Sequence, residues 1–474
     1  MKPPATSTEA LAVASGRSVR NGRVALFAAA AAIGGFLFGF DSAVVNGAVF
    51  GIQRTFHASS VGTGFAVASI LIGCALGALS AGRLADALGR RPVMVISAVI
   101  FAVTALWTGL SGSELTFTLA RFVSGIAVGA ASVVSPAYTA EISPPAVRGR
   151  LSSLQQLGIV IGIFVALLSD HLLALSAGGA NGLLWLRLEA WRWMFLVELA
   201  PSLLFGVAAL LIPESPRYLV SAKRDADALR VLRLIDRAAS EADVATIRST
   251  IDTDRKPRFA DLRDSNGKIL PIVWIGTGLS VLQQFVGINS VFYYGDMLWQ
   301  SVGFTSSDSL RNNVITGVIN VLATLVAMRF VDRAGRRPLL LWGSLGMAAT
   351  LGVLVIAFAT AQTVDGHVVL SKTAGVIALL SANLYVFAFG MSWGPVVWVL
   401  LGEIFPNSIR GAAMAAAVFA QWIANWLVTI SFPPIVSGAG PAAAYGGYAL
   451  FSLGSFFFVK RWVRETNGRA LEEA

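Results

Sequence analysis

The sequence predicts an all-α integral membrane protein with twelve transmembrane helices in two pseudo-symmetric six-helix halves. Three observations carry this. Of 474 residues, 55% are hydrophobic and 13% charged, against about 25% charged in a soluble domain. Long stretches, among them 24–40, 92–112, 155–169, 338–362 and 373–402, carry no charge at all, and an apolar run of about 18 residues or more reads as a membrane-crossing helix. Two motifs occur twice, in the same order and at nearly equal offsets. D-x-x-G-R-R-P runs from Asp86 and again from Asp332, and E-x-x-P-x-x-x-R-G runs from Glu141 and again from Glu403. Such self-similarity marks an internal duplication.

The elements follow in order. A polar tail, 1–22, precedes a first span at about 24–50. Arg17, Arg20 and Arg23 could imitate the flank of a signal peptide, but the apolar run continues past Asp41, so the span is read as uncleaved. The second span, 60–82, holds the single cysteine, Cys74, which can form no intrachain disulfide and reads as a small packing residue. Spans at 92–111, 115–139, 151–172 and 191–212 complete the first half, 23–212. Residues 213–268 are dense in Arg, Lys and Asp, and Leu229, Leu232 and Ile235 recur at helical spacing, so short surface helices are expected there. The second half, 269–461, repeats the plan at 269–299, 311–331, 338–361, 374–402, 409–432 and 440–460. A short tail, 462–474, closes the chain. The 47 glycines suit closely packed membrane helices.

The net charge of +10 could suggest nucleic acid, but its placement argues against it. With the N-terminus placed in the cytoplasm, the Lys and Arg gather in the cytoplasmic segments. Only Arg54, Arg187, Arg192, Arg311 and Lys372 fall outside and Arg121 within a span. The excess sets the topology by the positive-inside rule, with both termini cytoplasmic. Enzyme chemistry has no cluster to rest on. The three histidines, His57, His171 and His367, are read as isolated in outer loops, and no metal-ligand or nucleophile spacing occurs.

Each D-x-x-G-R-R-P sits at the cytoplasmic end of an even span, and each E-x-x-P-x-x-x-R-G at the next cytoplasmic corner. Asp86 can pair with an arginine one turn on. Glu141 can accept from Arg90 or Arg91 and Glu403 from Arg336 or Arg337, with Arg148 and Arg410 completing each cluster; Asp332 repeats Asp86. These charges are expected to latch the two halves together when the cytoplasmic side is closed, and to part when it opens. Plain topology anchors are the alternative.

The chain resembles the sugar porter family of the major facilitator superfamily. The resemblance rests on "GRLADALGRRP" (82–92), "PAYTAEISPPAVRG" (136–149), "PESPRYL" (213–219), "QQFVGINSVFYY" (283–294), "VDRAGRRP" (331–338) and "SWGPVVWVLLGEIFPNSIRG" (392–411). It implies the major facilitator fold, with substrate held between two rocking halves near mid-membrane. "RETNGRALEE" (464–473) resembles the family's C-terminal "PETKGRSLEE" but departs at Arg464 and Asn467, which puts local loop geometry in doubt.

A sugar offers hydroxyls, so a site for it needs neutral amides and an aromatic face. Gln283, Gln284 and Asn289 lie loosely along one side of the seventh span, with Gly287 permitting a break, and Gln421 and Asn425 share a face at i, i+4. The resemblance implies that these five bind sugar together with Gln156, Asn320, Trp393 and Trp422, and that Tyr293 and Tyr294 close over it. Trp398 is left between sugar contact and packing. Interhelical hydrogen bonding is the alternative for any single amide.

Asp41, Arg121 and Glu198 fall inside spans. A charge at bilayer depth costs at least ~2.5–3.5 kcal/mol, so the three should face the bundle interior and pair. A carboxylate beside an arginine stays ionised, and once the arginine leaves it takes up a proton. By resemblance, Asp at position 41 favours proton symport. The expectation is a cofactor-free, metal-free, monomeric carrier of a hexose or pentose in a bacterial inner membrane, with the proton as coupling ion and the lipid bilayer and the sugar as its partners. A facilitative uniporter of the same fold and, more distantly, a proton-coupled polyol or drug transporter stay open.

Overall fold

The computed structural model describes residues 21–144, 147–253, 259–264, 266–364, 367–406 and 409–466. The tails expected at 1–22 and 462–474 therefore lie outside it except for residues 21–22 and 462–466, and so do the side chains of Arg148 and Asp332. Among the described residues, twelve helices are long and apolar enough to cross a membrane. Spans 1 to 6 are Gly22–Ala43, Ser60–Leu88, Arg90–Gly109, Glu114–Ile142, Ser153–Ala177 and Ala190–Leu211; spans 7 to 12 are Pro271–Ser301, Ser306–Val331, Arg336–Ala359, Lys372–Ile404, Arg410–Ala439 and Pro441–Trp462. The two copies of D-x-x-G-R-R-P mark one end of the bundle, here called the motif end; the other is the distal end.

Four spans are interrupted, each where polar side chains gather. Span 1 ends at Ala43 and resumes as the helix Val45–Phe56. Span 6 divides at Glu198, into Ala190–Leu196 and Leu199–Leu211. Span 7 divides into Pro271–Phe285 and Ile288–Ser301 because Gly287 takes φ +88°, which a residue with a Cβ rarely adopts. Span 10 divides at Ser392, where φ −128° and ψ −87° leave the helical region. Non-helical backbone at this depth is tolerated where protein covers it.

Spans 2 and 4 approach so closely that a Cβ at Gly125 would strike the Ile70 carbonyl, and one at Gly129 the Cys74 carbonyl. Small residues set this distance. Cys74 is buried in that seam, as expected of a packing residue. The halves meet through span 2 on span 11, span 5 on span 8, and Val45–Phe56 on Ile288–Ser301.

The segment between the halves folds as Pro216–Ser221, Asp225–Ile235, Glu241–Thr253 and a short 3-10 turn, Phe259–Leu262. In the second of these Ile235 is buried and Leu229 and Leu232 are half-buried against the core, as their spacing predicts. Two departures from expectation are local. A three-residue hairpin, Gln362–Val364 with His367–Val369, follows span 9. His171 lies in the helix Arg148–Ala177, not in a loop, because span 5 runs further than its apolar stretch suggests.

Candidate functional site

The break in span 7 gathers the expected amides. Gln283 Nε2 donates to the Trp393 carbonyl at 2.8 Å and reaches that of Gly394 at 3.3 Å, both in the first turn after the break in span 10. Gln283 Oε1 accepts from Gln284 Nε2 at 3.2 Å and Gln421 Nε2 at 2.9 Å. Asn289 Nδ2 donates to Gln284 Oε1 at 2.5 Å across the turn at Gly287. Asn425 Nδ2 reaches the Tyr293 hydroxyl at 3.5 Å and its Oδ1 accepts from Thr429. One network thus links spans 7, 10 and 11. Two buried atoms at its edge have no hydrogen-bond partner among the described residues: Gln421 Oε1, an acceptor, and Trp422 Nε1, a donor. Trp422 lies against Phe38 of the other half with ring centroids 5.6 Å apart, so an aromatic wall closes the same space.

The other expected members are placed unevenly. Asn320 is buried against Gly390 on span 10, and Gln156 is half-buried on span 5. Trp393 has its ring placed away from the amides. Its indole is fully buried and donates to the Leu340 carbonyl at 3.1 Å and to Ser344 Oγ at 2.9 Å, both on span 9. The break at Ser392 turns the ring away, so Trp393 serves the network through its carbonyl. Trp398 stays 36% exposed, and of the two tryptophans it keeps a free face.

Asp41 and Arg121 are each 1% exposed and form an ion pair. Arg121 Nη2 also donates to the Asp41 carbonyl at 2.9 Å, and Ser124 donates to the second carboxylate oxygen. Glu198, at the division of span 6, is buried with Oε1 unpartnered; Asp41 and Arg121 are the charges that act on it. Arg121 packs on the face of Phe195, 5.5 Å from its centroid. The expected trio is therefore one cluster within the first half, beside the amide network.

At the distal end the sequence reading missed a residue. Asn46 Nδ2 donates to the Phe292 carbonyl and Asn46 Oδ1 accepts the Asp296 N–H, both at 2.9 Å. In an intact helix those two groups would bond each other. Tyr294 leaves helical geometry there (φ −127°), and the Asn46 amide fills the opened turn. Asn313 Nδ2 adds a bond to Asn46 Oδ1 at 2.8 Å. Tyr293 and Tyr294 are buried below it, Tyr294 donating to the Thr429 carbonyl and stacking on Phe432 at 5.2 Å. The distal ends of the two halves are thus joined over the amide network. No local pattern in the sequence distinguishes Asn46 from any other polar residue in a span.

The motif end holds the expected pairs and adds partners to them. Arg90 pairs with Glu141 at 3.0 Å and with Asp86 at 3.4 Å, and Arg336 pairs with Glu403 at 2.9 Å. Each of these bonds lies within one half. Arg91 and Arg337 point to backbone carbonyls of Ala209 and Lys460, and Arg410 to that of Phe405, not to the glutamates. The partners that sequence reasoning missed are Glu214 and Glu465. Glu214 accepts the N–H groups of Arg90, Arg91 and Ser215; Glu465 accepts those of Arg336, Arg337 and Thr466. Each carboxylate caps the start of a helix, where negative charge is favoured. Ser215 then donates to Glu141 and Thr466 to Glu403, each at 2.5 Å. The departure at Arg464 leaves this geometry intact through Glu465 and Thr466, and Asn467 lies outside the described residues. Burial raises the Glu214 carboxyl above its ordinary value, against the pull of its N–H donors.

A family model described as "Sugar (and other) transporter" matches residues 27–474. The chain is 52% identical over 451 residues to a glucose transport protein of Synechocystis sp., covering 95% of this chain and 96% of the relative. It is 37% identical over 481 residues to the D-xylose-proton symporter of Escherichia coli K12, covering 94% and 93%. It is 36% identical over 479 residues to a glucose facilitated diffusion protein of Zymomonas mobilis, covering 95% and 97%. Among solved structures, the partially occluded inward-open conformation of the E. coli xylose transporter XylE superposes with a TM-score of 0.82 at 34% identity, covering 94% of this chain and 99% of that one.

Proposed function

The chain belongs to the sugar porter family of the major facilitator superfamily, and from that premise we propose that it carries a monosaccharide, a hexose or pentose, into the cell together with a proton. The observation that carries the reading is the amide network of Gln283, Gln284, Asn289, Gln421 and Asn425, with Gln421 Oε1 and Trp422 Nε1 left unpartnered beside an aromatic wall. An uncharged array of donors and acceptors suits vicinal hydroxyls and gives no counter-charge to an ionic substrate. The amides already held by one another are pre-positioned, which limits the ordering cost of binding.

In this proposal the motif end faces the cytoplasm, in keeping with its basic charge. The distal end, joined at Asn46, is the closed external gate, so the protein stands open or partly occluded toward the inside. Asp41 carries the proton. While Arg121 and Ser124 hold it, Asp41 is an ionised carboxylate. When rocking of the halves separates Arg121 from it, an isolated buried carboxylate binds a proton, and re-pairing releases it on the other side. Glu198, with one unpartnered oxygen, is the group to which Arg121 moves. The driving force is about 2.3 kcal/mol per charge per 100 mV.

A facilitative uniporter of the same fold is the second reading, favoured by the likeness to the Zymomonas protein named for facilitated diffusion. Uptake of labelled glucose and xylose into liposomes carrying the purified protein separates the two. Accumulation above equilibrium only under an inward proton gradient establishes symport. Equilibration indifferent to the gradient establishes the uniporter and reduces Asp41–Arg121 to a structural pair. No uptake of either sugar removes the monosaccharide reading.

A further inference from the structure

We propose that Asp170 and Asp296 form a second proton-binding site, separate from the Asp41 cluster, which is loaded from the external solution and holds the external gate shut. Both lie at the distal end, one in each half, and they meet at two consecutive residues of the first span's outer helix. Asp296 gives its backbone N–H to Asn46, at 2.9 Å. The Gly47 N–H, at the start of that helix, donates to Asp170 Oδ2 at 3.2 Å. Asp170 lies one helical turn beyond Leu167, which packs on Gly317, and Asn313 lies one turn before Gly317 on the facing helix. Asp170, Asn46, Asn313 and Asp296 therefore share one junction.

The junction has carboxylates without cations. Asp170 is fully buried and its Oδ1 has no partner among the described residues; Asp296 is 1% exposed and accepts from the amide of Gln300, at 2.9 Å to each oxygen. Among the described residues neither forms an ion pair. The surrounding charges are accounted for. On the helix Val45–Phe56 the charged group is Arg54, which is exposed at the mouth of the junction. At the start of span 6, Glu189 is paired with Arg192; at the start of span 8, Asp308 is paired with Arg311. His171 adjoins Asp170 on its own helix, about 100° round from it.

Two ionised carboxylates buried together without a counter-charge are costly, and taking up a proton relieves that cost. A metal ion fits poorly, since the two carboxylates accept from N–H donors, which repel a cation. The path for the proton is short. Asp296 and Gln300 line a cavity of about 350 Å³ with Arg54, Phe50 and Asn181 at the external face. Closing the gate brings the two halves' carboxylates into one buried site, so a protonated pair favours the closed gate and an ionised pair the open one. For a single proton the ratio of closed to open gate changes by at most about tenfold per pH unit.

The inference rests on the reading of the chain as an alternating-access carrier, and its test reads gate position, so it can fail while transport stands. Spin labels are placed at Val61→Cys and Ser307→Cys, exposed positions at the distal ends of spans 2 and 8, in a Cys74→Ser background. Pulsed dipolar distances are measured in nanodiscs at pH 5 and pH 8. The expected result is a short-distance population at pH 5 that gives way to a longer one at pH 8. Asp170→Asn, Asp296→Asn and the double variant, which keep shape while removing charge, should keep the short population at both pH values. The shift should persist in Asp41→Asn and in His171→Gln. An unchanged shift in the double Asn variant, loss of the shift in His171→Gln or Asp41→Asn, or a short population restored at pH 8 by 100 mM sodium would each overturn the proposal.

Discussion

The side chain of Asn46 takes the place that Phe292 would hold in an unbroken helix, accepting the Asp296 N–H from the opposite half of the molecule at 2.9 Å. With its bonds to the Phe292 carbonyl and Asn313, this one amide makes three short buried hydrogen bonds, and a fourth, at 3.5 Å, to the Val291 carbonyl. At about 1 kcal/mol for each of the three short bonds, their loss shifts the gate equilibrium by roughly 100-fold. Asn46→Ala should therefore lower sugar exchange in liposomes by at least about tenfold, and Asn46→Asp, which keeps the acceptor, should be intermediate. Wild-type exchange in Asn46→Ala would remove the gate assignment.

Asp41→Asn should abolish accumulation driven by a proton gradient while leaving sugar exchange largely intact. The amide cannot titrate; its one oxygen still accepts from Arg121, the Ser124 hydroxyl can turn to accept from the new NH2, and the bond from Arg121 to the residue 41 carbonyl is untouched, so the site keeps its shape. Counterflow measured beside gradient-driven uptake separates the two functions. If the variant accumulates sugar as the wild type does, the proton travels by another route.

Twelve spans and two halves were legible because apolar length and a repeated motif need no tertiary information. The Asp41–Arg121 pair was legible for a related reason, since charges at that depth must find each other. What failed depended on breaks. Trp393 and Trp398 are both plausible aromatic faces in sequence, and only the non-helical Ser392 decides which ring turns toward span 9. Asn46, Asp170 and Asp296 lie far apart in sequence and meet only because span 1 and span 7 are both interrupted. At the motif end the pairs Arg90–Glu141 and Arg336–Glu403 were legible from the repeat, but Glu214 and Glu465, which accept the arginine N–H groups, were not, because no charge pattern marks them as helix caps.

Trp422→Phe isolates one hydrogen bond to substrate. The ring against Phe38 is retained and the unpartnered Nε1–H is removed. Apparent sugar affinity should fall by roughly 5- to 20-fold, the equivalent of about 1–2 kcal/mol for a single bond, with thermal stability unchanged. Gln283→Ala should behave differently. It also releases Gln421 and the carbonyls of span 10, so both affinity and melting temperature should drop. Calorimetric titration with glucose and xylose, alongside thermal melts, checks the contrast. Equal loss of stability in both variants would count against a substrate-facing Trp422.

Glu214 makes the stability of the motif end depend on pH with a definite sign. Burial raises its carboxyl above the ordinary 4.5, outweighing its three N–H donors. The folded protein therefore holds that proton more tightly than the unfolded chain does. The contribution of this group to stability is most favourable below 4.5 and declines as pH rises through the raised folded value. Glu214→Gln removes the titration and also exchanges one acceptor oxygen for a donor that faces the Arg90 and Arg91 N–H groups. The variant should melt lower than the wild type throughout. The gap should widen as pH falls from about 7 toward 4.5, because only the wild type gains from the proton. Glu465→Gln, whose carboxylate makes the matching bonds in the second half, controls for the loss of the cap itself. A gap for Glu214→Gln that stays constant with pH, or that narrows as pH falls, would show that burial does not govern this carboxyl.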